Sequence, residues 1–172
     1  WHKLVQVPAS AGPALKINEQ TGYAASTPAT DGRRVYAIFA NGDLAAFTLD
    51  GAPVWSKNIS ILKNPYGHAT SLLLWRDRLL LQVDQGESSP ADSKLYAFEA
   101  ATGRVLWQRP RQIPGSWATP VTAEVNGKSQ IVTLGNPWMI AYTADDGNEL
   151  WRAELLNGEI TPSPVEIGRA HV

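Results

Sequence analysis

The fold of this chain is decided by residues 97–107, which read Ala-Phe-Glu-Ala-Ala-Thr-Gly-Arg-Val-Leu-Trp. The last five positions of this stretch, Gly-x-x-x-Trp, occur three times in the chain, at Gly51 to Trp55, Gly103 to Trp107 and Gly147 to Trp151. Recurrence of one motif at intervals of roughly 40–50 residues is typical of a repeat architecture. The chain has 7 Trp in 172 residues, and a structural repeat explains this high content.

The repeat extends upstream of each glycine. The second and third copies read Ala-x-x-x-x-x-Gly from Ala97 and Ala141, and the copy that starts at Ala46 is one residue shorter. Short segments with Ser or Thr precede the three copies, at 26–28, 70–72 and 118–120. A similar segment at 161–164 indicates the start of a fourth copy. We therefore divide residues 1–165 into three complete units, at 22–59, 67–109 and 115–154, with partial units at 1–5 and 160–165.

Each unit consists of short β-rich runs separated by turns. The runs at 35–39, 79–83 and 130–134 favour strands, and Asn-Gly pairs at 41–42 and 126–127 are strong hairpin signals. No segment has a convincing amphipathic helical pattern. Four antiparallel strands per repeat of this length indicate a propeller blade. The sequence thus predicts an all-β chain, a β-propeller fragment of about three four-stranded antiparallel blades with partial blades at both ends.

The Gly-x-x-x-Trp motif has a packing role in this prediction. The glycine is expected to adopt a positive φ in the turn before the outer strand. The tryptophan four residues later can then lie flat between neighbouring blades, where a ring of this size buries about 150–250 Å². We interpret all six motif residues as structural and not as ligand contacts: Gly51, Trp55, Gly103, Trp107, Gly147 and Trp151.

Composition and charge exclude several classes of function. Lys and Arg total 15 and Asp and Glu total 16, so the net charge of −1 lacks the basic excess of a nucleic-acid-binding protein. The chain has no cysteine, which removes disulfides, thiol catalysis and Cys-ligated metal sites. No run approaches the roughly 18 apolar residues of a membrane span.

Residues 97–107 closely resemble the tryptophan-docking motif of β-propellers that carry pyrroloquinoline-quinone (PQQ)-like repeats, which reads Ala-x-Asp-x-x-Thr-Gly-x-x-x-Trp. This copy departs only at Glu99, and the third copy has Thr143 and Asp146 where the motif has Asp and Thr. That family includes quinoprotein alcohol dehydrogenases, the BamB-type outer-membrane assembly lipoprotein and many secreted or periplasmic repeat proteins. The segments at 64–69 and 117–121 look most like the last group.

The resemblance implies a larger ring than these units can form, because such propellers close with seven or eight blades. We therefore expect the chain to be part of a longer protein whose remaining blades are its first partners. Residues 166–172 have no counterpart in the repeats, and we expect them to be non-native sequence.

The candidate ligand-binding residues lie in the loops that lead into each unit. A glycine and a variable residue recur there, and propeller geometry places these loops around the mouth of the central channel. Binding residues are often carried on loops held by a rigid scaffold. Aromatic side chains and one histidine would suit a sugar, a quinone or a peptide, and local packing of the loop is the alternative. The candidates are Tyr23, Tyr66, His68 and Trp117.

No arrangement of residues predicts catalysis or a metal site. Asp145, Asp146 and Glu149 do not have the spacing of an EF-hand loop. The histidines, at positions 2, 68 and 171, have no metal-ligand spacing, and no nucleophile elbow or phosphate-binding loop occurs. We predict no catalytic residue, no metal and no cofactor.

Two functions remain. The first is a non-catalytic binding or scaffold module that contacts a protein or a small ligand, in the periplasm or outside the cell. The alternative is a fragment of a PQQ-dependent alcohol or sugar dehydrogenase, which would require PQQ and calcium. The resemblance implies that such an enzyme uses Glu and Asn calcium ligands, an Asp base and often a vicinal Cys pair, and no segment here matches them.

Overall fold

The computed structural model describes residues 1–5, 19, 21–61, 63–64, 66–86 and 92–167. Residues 168–172, most of the predicted non-native tail, lie outside this part of the chain. The described residues form twelve strands and no helix: β1 Ala29–Thr30, β2 Arg34–Ile38, β3 Asp43–Thr48, β4 Pro53–Asn58, β5 Leu73–Trp75, β6 Arg78–Val83, β7 Ser93–Glu99, β8 Val105–Arg111, β9 Val121–Val125, β10 Lys128–Gly135, β11 Trp138–Thr143 and β12 Glu149–Glu154.

The strands form three separate sheets, each of four consecutive antiparallel strands. The first sheet has the order β1-β2-β3-β4, the second β5-β6-β7-β8 and the third β9-β10-β11-β12. Every connection within a sheet joins neighbours, and the first strands of adjacent sheets, β1 and β5, contact each other. This arrangement confirms the predicted all-β class and is that of a propeller fragment. Residues 1–5 and 160–165 carry no strand.

The apolar core lies between the sheets, because strand side chains alternate between two faces. Leu79 and Leu81 of β6 pack in one buried cluster with side chains of the first sheet, such as Tyr36. Leu80, between them, packs in a second cluster with Ile131 of the third sheet. The second sheet is therefore buried on both faces, and each interface between sheets is a core of its own.

A β-bulge occurs at the same place in every sheet. The register between the third and fourth strands shifts at Ala46/Phe47, Ala97/Phe98 and Ala141/Tyr142. A bulge bends the strand and re-aims the side chains that follow it. The glycine of the next turn has a φ of +87° at Gly51 and +71° at Gly103.

The tryptophan of each unit lies against the turn glycine of the following unit. A Cβ built on Gly103 would lie 2.7 Å from the Trp55 ring, and one on Gly147 would lie 2.6 Å from the Trp107 ring. The Trp55 indole Nε1 also donates a hydrogen bond to the Ala100 carbonyl at 3.0 Å. Because the ring occupies the space of a side chain, these turns require glycine for room as well as for φ.

A row of hydroxyl groups connects the segments that precede the first strands. In each case the backbone N–H of one unit donates to a hydroxyl oxygen of the next, about 44 to 48 residues later. The bonds are Thr27 N to Ser71 Oγ at 2.9 Å, Ser71 N to Thr119 Oγ1 at 3.0 Å and Thr119 N to Ser163 Oγ at 2.9 Å. The repeated Ser or Thr therefore satisfies a backbone donor of its neighbour.

Replacing Gly103 by Ala should destabilise the protein more than replacing Gly127, because only Gly103 faces a neighbouring ring. Both have a positive φ, +71° and +74°, but nothing lies within 4 Å of a Cβ on Gly127. We expect Gly127→Ala to cost about 1–2 kcal/mol from backbone strain, and Gly103→Ala a further 1–3 kcal/mol, roughly, from the clash. Urea denaturation measures both, and equal losses would contradict the proposed packing role.

Thr119→Val should lower the free energy of unfolding by about 1 kcal/mol, because it removes the acceptor of the Ser71 N–H. Thr119→Ser keeps a hydroxyl at this position and should cost less than half as much. Urea denaturation of the two variants tests this. A Ser variant as unstable as the Val variant would show that the hydroxyl acceptor is not what matters here.

Candidate functional site

Two of the predicted site residues meet in a ring contact. The Tyr66 and Trp117 rings lie 5.4 Å apart, centroid to centroid, with their planes at 70°, an edge-to-face geometry. The Trp117 Nε1 donates to the Gly67 carbonyl at 3.2 Å, which fixes the indole across two loops. Tyr66 remains 40% exposed, so the pair presents aromatic surface to the solvent.

Tyr23 lies in the neighbouring loop, which is tied to the Tyr66 loop through the backbone. The Thr21 hydroxyl donates to the Tyr66 carbonyl at 2.8 Å. The Ala40 N–H donates to the Tyr23 carbonyl at 2.9 Å, and the Ala40 carbonyl accepts from the His68 N–H at 3.2 Å. Tyr23 is 47% exposed. We call Tyr23, Tyr66 and Trp117 the aromatic surface.

The prediction that the His68 side chain faces the mouth of the central channel is wrong, because this side chain is buried. Its exposed fraction is 2%, and its Nε2 has no hydrogen-bond partner within the described part of the chain. Burial lowers the pKa of the imidazole to about 4, although a hydrogen bond with the Thr70 backbone acts in the opposite direction. The His68 N–H donates to the Ala40 carbonyl, and because its side chain is buried, His68 is a neutral interior residue.

Trp55 and Trp107 lie at the interfaces between the complete units, against Gly103 and Gly147. Trp107 has 9% of its surface exposed, but its indole Nε1 has no acceptor among the described residues, since Arg78 donates to the Ala144 carbonyl at the corresponding position. Trp151 is 41% exposed and donates from Nε1 to Gln130 Oε1 at 3.2 Å. Assigning these rings to docking between blades, and the aromatic surface to ligand binding, stays a prediction.

A buried ion pair that was not predicted from the sequence belongs to the second unit and lies where its sheet faces the third. Arg111 binds Asp84 in a bidentate manner, Nε to Oδ1 at 2.8 Å and Nη2 to Oδ2 at 3.1 Å, and both side chains are fully buried. Burial disfavours the charge on Arg111, but Asp84 and Tyr142 outweigh it and raise the pKa of the guanidinium. A charged residue directly after the apolar β6 run was the available signal in the sequence.

Polar side chains from both sheets complete this ion pair. The Arg111 Nη1 donates to Thr133 Oγ1 at 2.6 Å and to the Tyr142 hydroxyl at 3.1 Å. The Ser116 hydroxyl donates to Asp84 Oδ2 at 2.7 Å. The Gln82 Nε2 donates to the same oxygen at 2.7 Å and to the Leu134 carbonyl at 2.8 Å. We call Gln82, Asp84, Arg111, Ser116, Thr133 and Tyr142 the interface network.

The described part of the chain carries exposed polar and aromatic side chains at its surface. No group of three or more His, Asp or Glu side chains in the described residues could hold a metal ion. The same residues include no helix with the length and apolar character that a membrane crossing requires. The exposed polar and aromatic groups can donate hydrogen bonds and stack, which suits binding.

Because His68 is buried in its neutral form, the stability of the protein should fall between pH 6.5 and about pH 4. The folded pKa of about 4 lies below the ordinary value of 6.5, so the unfolded chain takes up the proton first as the pH falls. The loss should total about 3 kcal/mol. Urea denaturation at several pH values should show it, and His68→Gln should remove it. Replacing the exposed His2 by Gln is the matched control; a loss that persists in the His68 variant would contradict the assignment.

Comparison with known proteins supports a repeat family. A family model described as outer membrane protein assembly factor BamB matches residues 91–167. A search of curated proteins found no match. Among solved structures, BamB from Moraxella catarrhalis is 20% identical with a TM-score of 0.57, over 82% of this chain and 37% of that one.

Two quinoprotein structures have the same fold. The quinohemoprotein alcohol dehydrogenase ADHIIG from Pseudomonas putida HK5 is 22% identical, with a TM-score of 0.51 over 74% of this chain and 20% of that one. The quinohemoprotein alcohol dehydrogenase from Comamonas testosteroni is 19% identical, with a TM-score of 0.54 over 77% of this chain and 21% of that one. The chain spans less than two fifths of each of these three structures. With the repeated motif and the family model over residues 91–167, this likeness supports a PQQ-like repeat family, and the solved structures show that the fold is that of a β-propeller fragment.

Proposed function

We propose that this chain is part of a non-catalytic β-propeller that binds a protein partner through the aromatic surface. The observation that carries the proposal is the edge-to-face contact of Tyr66 and Trp117, which is exposed and yet held by hydrogen bonds from neighbouring loops. Rigid aromatic groups contribute large contact areas at a small cost in conformational entropy, and Tyr and Trp are enriched among the residues that dominate binding.

The nature of the partner follows from the shape of the surface and from the comparisons. Tyr23 and Tyr66 each leave nearly half of their surface in solvent, which suits contact with a broad polypeptide surface. The description of the matching family, an outer membrane protein assembly factor, supports a protein partner of that class. We propose a location in the periplasm or outside the cell on the same grounds.

A PQQ-dependent dehydrogenase is the second candidate, favoured by the likeness to quinohemoprotein alcohol dehydrogenases. The described residues do not fit a quinone and calcium site, since they contain no group of three or more acidic or histidine side chains that could hold the ion. The chain also has no cysteine for a vicinal pair that would clamp the quinone. Titration of the full-length protein with PQQ and calcium separates the two candidates, because tight binding would favour the enzyme.

Tyr66→Ala should weaken binding of a protein partner roughly tenfold or more, because it removes the exposed half of the ring pair. The probe is a urea-unfolded outer-membrane β-barrel protein carrying a fluorophore, diluted into the full-length protein and followed by anisotropy. Val125→Ala is the matched control, because Val125 is 44% exposed beside the hairpin turn at the far end of β9. Equal affinities of the two variants, or no binding by the wild type, would refute the proposal.

A further inference from the structure

We infer that the interface network specifies which unit packs against which, so that the second unit accepts only a neighbour with matching polar groups. The inference concerns the interior of the fold and does not depend on the proposed binding function. The second sheet has one interface on each face: the first interface, with the first sheet, and the second interface, with the third sheet.

The bulges and the tryptophans align the units residue by residue. Tyr36 pairs with the bulge residue Ala46 as Leu80 pairs with Ala97, so the second strands of the two sheets correspond at these positions. Two and four residues later, Ile38 corresponds to Gln82 and Ala40 to Asp84. Four residues after the motif tryptophans, Ile59 corresponds to Arg111.

The residues on the other side of the two interfaces differ in polarity in the same way. The third sheet presents Thr133 and Tyr142 where the second sheet presents Leu81 and Phe98 to the first. Ile38, Leu81 and Phe98 share one buried apolar cluster, and Ile59 packs against it. The first interface is thus apolar at the positions where the second is polar, on both of its sides.

A buried ion pair is a poor source of stability but a strong source of discrimination. Removing two charges from water offsets most of their attraction, and well-packed apolar residues often replace such a pair without loss. A single missing partner leaves a buried charge or donor unsatisfied, which is strongly destabilising. A neighbour with Leu and Phe would deprive the Arg111 Nη1 of both its acceptors.

The polar groups on the two sides of the network therefore restrict which neighbour can pack there, and an apolar interface does not. Leu81 and Phe98 could pack against any apolar face of similar shape, because hydrophobic contact is not directional. Arg111, by contrast, requires hydrogen-bond acceptors at fixed positions. The Asp84 carboxylate supplies two of them, and two hydroxyl groups of the neighbouring unit supply the others. In a ring of similar units, this requirement discriminates against pairing out of order.

The test is a cycle of variants in the whole chain that gives four positions of the second interface the residue types of the first. One variant, Asp84→Ala with Arg111→Ile, changes the second unit, and another, Thr133→Leu with Tyr142→Phe, changes the third. A final variant carries all four substitutions. Each half alone should lower the Tm by about 10 °C, because it mismatches the two sides. The complete set should recover most of that loss.

Additive losses of Tm in this cycle would overturn the inference, since matching would then have no value. A second measurement follows pairing directly and uses the absence of cysteine in the chain. Arg76 and Asp145, exposed residues whose side chains approach to 4.0 Å across the second interface, are replaced by Cys. Two differently tagged copies are unfolded together, refolded and joined with a short bis-maleimide.

With the network intact, cross-links should form within one chain. In the fourfold variant, the fraction of cross-links between chains should rise several-fold, because the apolar interface no longer discriminates. The exposed pair Glu149 and Arg152, replaced by Ala, is the control and should leave this fraction unchanged. An unchanged fraction in the fourfold variant would also overturn the inference.

Discussion

The structure depends on one contact, a tryptophan lying flat on a glycine of the next unit. The ring occupies the space in which a Cβ of Gly103 or Gly147 would lie, and the glycine adopts a φ that other residues reach only with strain. The contact therefore fixes the distance and the orientation of adjacent sheets together. The described residues form three separate apolar clusters, and the stability of the fold is distributed over a series of interfaces of this kind.

The fold was predictable because its main constraint acts through residue type and spacing. A positive φ calls for Gly51, and a large flat ring calls for Trp55, so the motif is visible in one sequence. The burial of His68 was not visible, because it depends on loops that converge from residues far apart in the chain. The pairing of Asp84 with Arg111 was equally hidden, since strand periodicity does not tell which strands of a sheet bring their charged residues together.

The aromatic surface and the interface network are consecutive in the chain and connected in the structure. Ser116 donates to Asp84 in the interior, and Trp117 contacts Tyr66 at the surface. The loop that presents the indole is thus anchored from below by a buried hydrogen bond. The Trp117 indole is thus oriented by buried polar groups that differ from one unit to the next. Units with the same backbone can therefore present different side chains at this position.

The row of hydroxyl bonds has an evolutionary consequence. Each unit contributes one backbone donor to the unit after it and one hydroxyl acceptor to the unit before it, as at Ser71 and Thr119. A duplicated unit therefore brings both halves of this connection with it, and its insertion leaves no orphaned group in the row of hydroxyl bonds. Recombination can thus add or remove a whole unit without interrupting the row, and the buried side chains between the sheets, not this backbone connection, then decide which insertions the lineage tolerates.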